Sequence, residues 1–78
     1  MKHQVTILDY AFHESITCFI KIQGFDGINE QPFNGMIRMV DGVPYGDIIK
    51  EEKSNLSSDC IQYIKVYIYQ KYEQGFFS

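Results

Sequence analysis

The side chains able to do chemistry are few and thinly spread. His3 and His13 are the only histidines, and Asp9, Glu14 and Cys18 lie near them in the chain. The chemistry to consider is therefore a metal site or a cysteine activated by a histidine. Thiol activation needs a base within hydrogen-bond reach. No local spacing turns either imidazole toward Cys18, whose place in an apolar alternation sends it to the core. Both histidines are expected in solvent-facing turns. Cys60 falls in the first turn of a predicted helix, where the dipole lowers a thiol pKa, but its wheel position points inward and predicts a packed thiol. Neither cysteine has a partner at metal-ligand spacing. Two buried free thiols are expected, and a Cys18–Cys60 disulfide stays open because it depends on a distance that spacing does not give. Gly24, Gly27 and Gly35 resemble a phosphate-binding loop only in composition: there is no GxGxxG, and no Lys-Ser or Lys-Thr follows a glycine. Catalytic, cofactor-binding and metal-binding residues are each expected to be none, and the chain is read as non-enzymatic.

Two groups of residues suit a partner instead. Asp41, Asp47, Glu51 and Glu52 cluster around one predicted hairpin, with Asp26 and Glu30 on a neighbouring loop. Their ordinary role is a solvated surface; their functional one is a negative patch that steers encounter with a basic groove. Arg38, Lys50 and Lys53 interrupt that patch. Tyr63, Tyr67, Tyr69 and Tyr72 fall within the predicted helix. Tyr67 and Tyr72 flank its apolar stripe, whereas Tyr69 and Val66 sit on its polar face beside Gln62 and Gln70, with Tyr63 at the margin. Tyrosine bordered by uncharged polar groups suits an interface, since it gives a large contact area at low entropic cost. The partner-binding candidates are Asp47, Glu51, Glu52, Tyr63, Val66 and Tyr69.

The best-defined positioning element is Ser57 to Gln74. At about 100° per residue, Cys60, Ile61, Ile64, Tyr67, Ile68, Lys71 and Tyr72 gather on one side, and Asp59, Gln62, Val66, Tyr69, Gln70 and Glu73 on the other. Ser57 or Ser58 caps the start, Asp59 complements the dipole and Gly75 supplies the stop. The β-branched and aromatic content of this stretch also suits a strand, but caps at both ends favour the helix. Gln4 to Phe12 alternates as a first strand, with Val5 and Ile7 on one face and Thr6, Leu8, Tyr10 and Phe12 on the other. After the turn His13-Glu14-Ser15, a second strand places Ile16, Cys18, Ile20 and Ile22 on one face. Gly24 to Gly35 is expected to be the longest loop. Met36 to Val40 forms a third strand, Asp41-Gly42 a two-residue turn, and Pro44 confines any fourth strand to an edge. Asp47 to Lys53 is expected to include a helical turn, and the Phe76-Phe77 tail to pack back on the sheet.

The expected fold is α+β: a small antiparallel sheet of three to four strands packed by one C-terminal helix, β-β-β-(β)-α, with residues 1–78 forming a single small domain. The core is predicted from Ile16, Cys18, Ile20, Ile22, Ile61, Ile64 and Ile68, joined by Val5, Ile7, and Ile37 or Met36. A chain of this length buries only about 60% of the surface it exposes when unfolded, so a partner or a second copy adds burial that the core lacks. Seven basic and ten acidic side chains give a net charge of −3, which opposes a phosphate backbone and disfavours direct nucleic-acid binding. No apolar run approaches the roughly 20 residues of a membrane helix, and Met1-Lys2-His3 leads into no signal-peptide apolar region. A cytoplasmic location without membrane contact is expected. Together these features resemble, in composition only, the stand-alone inhibitors that phages and mobile elements aim at host nucleases or defence complexes. The expectation is a protein-interaction module that blocks a basic surface of a larger protein or nucleoprotein complex. The alternative is a homodimeric structural or regulatory domain associating through an exposed apolar sheet face bearing Leu8, Tyr10, Phe12 and Phe19.

Overall fold

The computed structural model describes residues 2–77. Its element order is β1 (Gln4–His13), β2 (Thr17–Asp26), β3 (Gln31–Val40), β4 (Val43–Tyr45), a 3-10 turn (Asp47–Ile49) and α1 (Ser58–Glu73). The strands form one antiparallel meander in the order β1-β2-β3-β4. The helix covers one face, which is the expected α+β architecture.

Alternation along β2 sets the layering. Cys18, Ile20 and Ile22 point inward, and register carries Met39 and Ile37 to the same face of β3. Against them lie Cys60, Ile61, Ile64 and Ile68 of α1, with Ile49 and Phe77 closing the ends. Each fully buried Ile contributes roughly 1.5–3 kcal/mol through apolar burial. Of Ile37 and Met36, the register selects Ile37, and Met36 stays half-exposed.

Both ends of α1 follow their sequence signals. The Ser57 hydroxyl accepts from the Cys60 N–H at 3.2 Å, with Asp59 in the first turn and Lys71 in the last. At the C-terminal end the Gly75 N–H donates to the Tyr72 carbonyl and the Phe76 N–H to the Lys71 carbonyl, the paired bonds of a Schellman stop. The chain then turns back, and Tyr10 packs on the rings of Phe76 and Phe77. Between β3 and β4, Asp41 and Gly42 take φ of 50° and 84°, the two left-handed residues of a tight hairpin turn, where glycine carries no steric cost.

Three expectations are corrected. Gly24 to Gly35 is not a long loop: β2 runs to Asp26, β3 starts at Gln31, and the turn is residues 27–30. Pro32 fits a strand because β4 pairs only with Arg38, Met39 and Val40, so β3 is an edge at that end, where a missing N–H is tolerated. Ile16 lies in the β1–β2 turn and is exposed, because Glu14 at φ 65° begins the reversal there. Leu8 is an extra residue in β1 between the paired Ile7 and Asp9. This bulge turns the rest of the strand over, so Tyr10 and Phe12 pair with Ile20 and Cys18 and join the face of Val5 and Ile7 instead of opposing it.

Candidate functional site

Asp26, expected on a solvated loop, is wholly buried at the end of β2. Its Oδ1 accepts from the Ile28 and Asn29 N–H groups at 2.9 and 3.1 Å and from the Ser57 hydroxyl at 3.0 Å. Its Oδ2 accepts from the Ser57 N–H at 2.7 Å. One carboxylate thus shapes the β2–β3 turn and fixes the residue that caps α1. Burial pushes its pKa up, but the hydrogen bonds from Ser57, Asn29 and Ile28 outweigh that, and Asp26 titrates below the ordinary carboxylate range.

His3 closes the cluster and is likewise not in a solvent-facing turn: its side chain is only 6% exposed. Residue 3 reaches this place because the chain passes directly over Gly27, where any Cβ would come within 2.4 Å of the Lys2 carbonyl oxygen. The Gly27 N–H donates to His3 Nδ1 at 3.0 Å. That assigns the ring proton to Nε2, which donates to Asp59 Oδ2 at 2.8 Å. Nδ1 also faces Asp26 Oδ1 at 3.7 Å, and the ring lies 5.5 Å from that of Tyr63. The Cys60 thiol completes a buried trio whose ligand atoms all lie within 4.8 Å of one another. Burial, followed by the negative charges of Asp26 and Asp59, pushes this thiol up to about 11. It is neutral at pH 7, and the helix dipole does not make it a nucleophile. Cys18 and Cys60 are both buried and free, without a disulfide.

The trio joins positions 3, 26 and 60, separations that no local spacing reveals. One signal was present in the chain: Asp26-Gly27, with Asn29 following, has the composition of an Asp-headed turn, as Asp41-Gly42 does. His13, by contrast, sits exposed at the end of β1, its ring 6.1 Å from that of Phe19.

The six partner-binding candidates are all exposed, but they do not form one array of contacts. Asp47 opens the 3-10 turn and lines, with Lys53 and Asn55, an open groove of about 380 Å³. Glu51 accepts from the Ser58 hydroxyl at the start of α1, and Glu52 is solvated. Tyr63 is tied to His3, while Val66 and Tyr69 occupy the solvent side of α1.

The face of the sheet opposite the helix is uncovered. Register places Phe19 and Phe25 of β2, Met36 of β3, and Val43 and Tyr45 of β4 there, and the bulged Leu8 of β1 joins them by sharing a hollow with Lys21 and Met36; each is between 37% and 51% exposed. Arg38 lies over the Tyr45 ring at 5.7 Å. Leu8, Lys21, Gln23, Asn34 and Met36 line a shallow hollow of about 400 Å³. Among the described residues no helix is long and apolar enough to cross a membrane. Comparison with protein-family models, with curated proteins and with solved structures returns no match.

Proposed function

We propose that the chain is a non-enzymatic protein-interaction domain that works by occupying a surface of a larger protein or nucleoprotein complex. The observation that carries this reading is the uncovered sheet face. Six apolar side chains from four adjacent strands share one side of the sheet, interspersed with polar ones, and exposed apolar surface of this kind is characteristic of contact sites. Phe19 and Tyr45 are the natural anchors, with Leu8 and Met36 around them.

Charge argues for the kind of partner. The open face carries Asp9, Lys21 and Arg38, so the rest of the molecule holds five basic against nine acidic side chains. Asp47, Glu51 and Glu52 belong to that acidic remainder. They suit a partner whose apolar patch is bordered by lysine and arginine, and they act on encounter rate more than on the lifetime of the complex. This is the mode of an inhibitor of phage or mobile-element type acting on a basic host surface. Val66, Tyr69 and Tyr63 of α1 form a second, smaller contact region on the opposite side.

The test compares affinity capture by the wild-type chain, by Phe19→Asp/Met36→Asp and by Glu51→Lys/Glu52→Lys. The reading expects one partner to be retained by the wild type, lost with the first variant and recovered more slowly with the second. Identical capture by all three chains overturns it. The same face also fits the homodimer, and sedimentation separates the two: a concentration-dependent dimer abolished by Phe19→Asp/Met36→Asp favours self-association.

A further inference from the structure

We infer that His3, Asp26 and Cys60 form a binding site for a divalent zinc-class cation that fastens the start of β1, the β2–β3 turn and the first turn of α1 together. The donors are of three chemical kinds from three distant segments, all buried, with ligand atoms within 4.8 Å of one another. A tetrahedral Zn²⁺ with ordinary Zn–N, Zn–O and Zn–S bonds spaces its ligands about 3.3–3.6 Å apart. His3 Nδ1 already stands 3.7 Å from the Asp26 carboxylate, measured to Oδ1; Oδ1 accepts three hydrogen bonds, so the coordinating oxygen is its neighbour Oδ2.

Three further observations point to a cation. His3 presents Nδ1 to the cluster while its Nε2–H is held by Asp59 at 2.8 Å, the outer carboxylate arrangement that orients metal-bound imidazoles and raises their basicity. Nδ1, whose lone pair the Gly27 N–H engages, has no proton of its own to share with the Asp26 carboxylate 3.7 Å away once Nε2 carries the ring hydrogen. Among the described residues, nothing hydrogen-bonds to Cys60 Sγ. Nitrogen and sulfur donors select Zn²⁺ over oxygen-preferring Mg²⁺ and Ca²⁺.

Without metal, the Gly27 N–H holds the Nδ1 lone pair. Binding replaces that single neutral hydrogen bond, a small loss beside what a thiolate, imidazole and carboxylate set returns to Zn²⁺. The Cys60 thiol proton leaves to solvent as the S–metal bond forms. Oδ2 of Asp26 accepts one bond, from the Ser57 N–H, and keeps a lone pair for the ion. The ion gives a small domain the cross-link that its thin core lacks.

The test uses the full chain stripped with a chelator and titrated with Co²⁺ as a spectroscopic stand-in. The expected result is one equivalent bound, with a thiolate-to-cobalt charge-transfer band and tetrahedral d–d bands, displaced by Zn²⁺, and a melting temperature that rises with added Zn²⁺. His3→Gln and Cys60→Ser lose at least tenfold in affinity, and the thiolate band vanishes with Cys60→Ser, while His13→Gln leaves the titration unchanged. Wild-type protein that shows no charge-transfer band and no thermal response to Zn²⁺ overturns the inference. So does a titration that His13→Gln abolishes and His3→Gln spares. The first of these outcomes uses folded wild-type protein alone, so it does not depend on how well the cluster variants fold, and in the second a His3→Gln chain that still binds the ion is itself folded.

Discussion

The helix is held to the sheet in two different ways along its length, and the contrast separates graded from conditional stability. Along the middle, Ile61, Ile64 and Ile68 rest on Ile20, Ile22 and Ile37. This seam is non-directional, each contact adding a share of apolar burial. At the N-terminal end, Asp26, Ser57, His3 and Asp59 form a polar knot in which each buried hydrogen-bonding atom has its partner. A seam weakens in proportion to what is removed. A knot fails when one partner goes, because the groups left behind stay buried and unpaired.

The sharpest probe of this contrast is Asp26→Ala, which orphans three backbone N–H groups and a hydroxyl. At about 1–3 kcal/mol for a buried unsatisfied group, with partial rescue by water, the expected loss is about 4 kcal/mol by urea denaturation. A loss under about 1 kcal/mol would show that solvent reaches the knot and erase the distinction. Ile64→Ala tests the seam: truncation there costs about 2–4 kcal/mol, and combination with Ile68→Val should be close to additive in chemical denaturation, as expected of graded packing.

Acid unties the knot and leaves the seam alone. The folded pKa of Asp26 lies below its unfolded value of about 3.9, so its contribution is complete above that value and is lost as pH falls through the folded pKa. Stability measured from pH 6 down to pH 2 should fall less steeply in Asp26→Asn than in the wild type. Parallel profiles would assign the acid sensitivity to other carboxylates. Ser57→Ala removes the cap and one bond to Asp26, for about 1–2 kcal/mol. Ser57→Asp keeps a cap but sets a second carboxylate against Asp26, and it should be the worse of the two in thermal melts. The smallest effect belongs to the open face: Met36→Glu should change stability by no more than about 0.5 kcal/mol while weakening any partner contact there.

The seam was legible in the chain because its information is local. Caps at both ends of α1, the isoleucine stripe and the period-two pattern of Cys18, Ile20 and Ile22 each lie within one element. The knot was not, since Asp26 joins its own turn to residue 57 and His3 finds its partners at residues 27 and 59. Spacing alone leaves such groups looking like loop carboxylates and turn histidines. The arms of the β2–β3 hairpin were hidden for another reason: Gly24, Pro32 and Gly35 interrupt the alternation, although the backbone is extended on both sides of the turn. The six residues proposed to meet a partner are exposed, as their places around the hairpin and on the polar side of the helix imply. The open face was misassigned by two residues, Tyr10 and Phe12, because one bulge reverses every side chain beyond it.

That bulge bears on how the molecule behaves when crowded. β1 is a ten-residue strand at the margin of the sheet, a template on which another chain could polymerise edge to edge. The additional residue at Leu8 breaks the hydrogen-bonding rhythm along that margin, so an incoming strand in register with one half is out of step with the other. Removing Leu8 would restore an uninterrupted edge and, with it, a tendency toward fibrils.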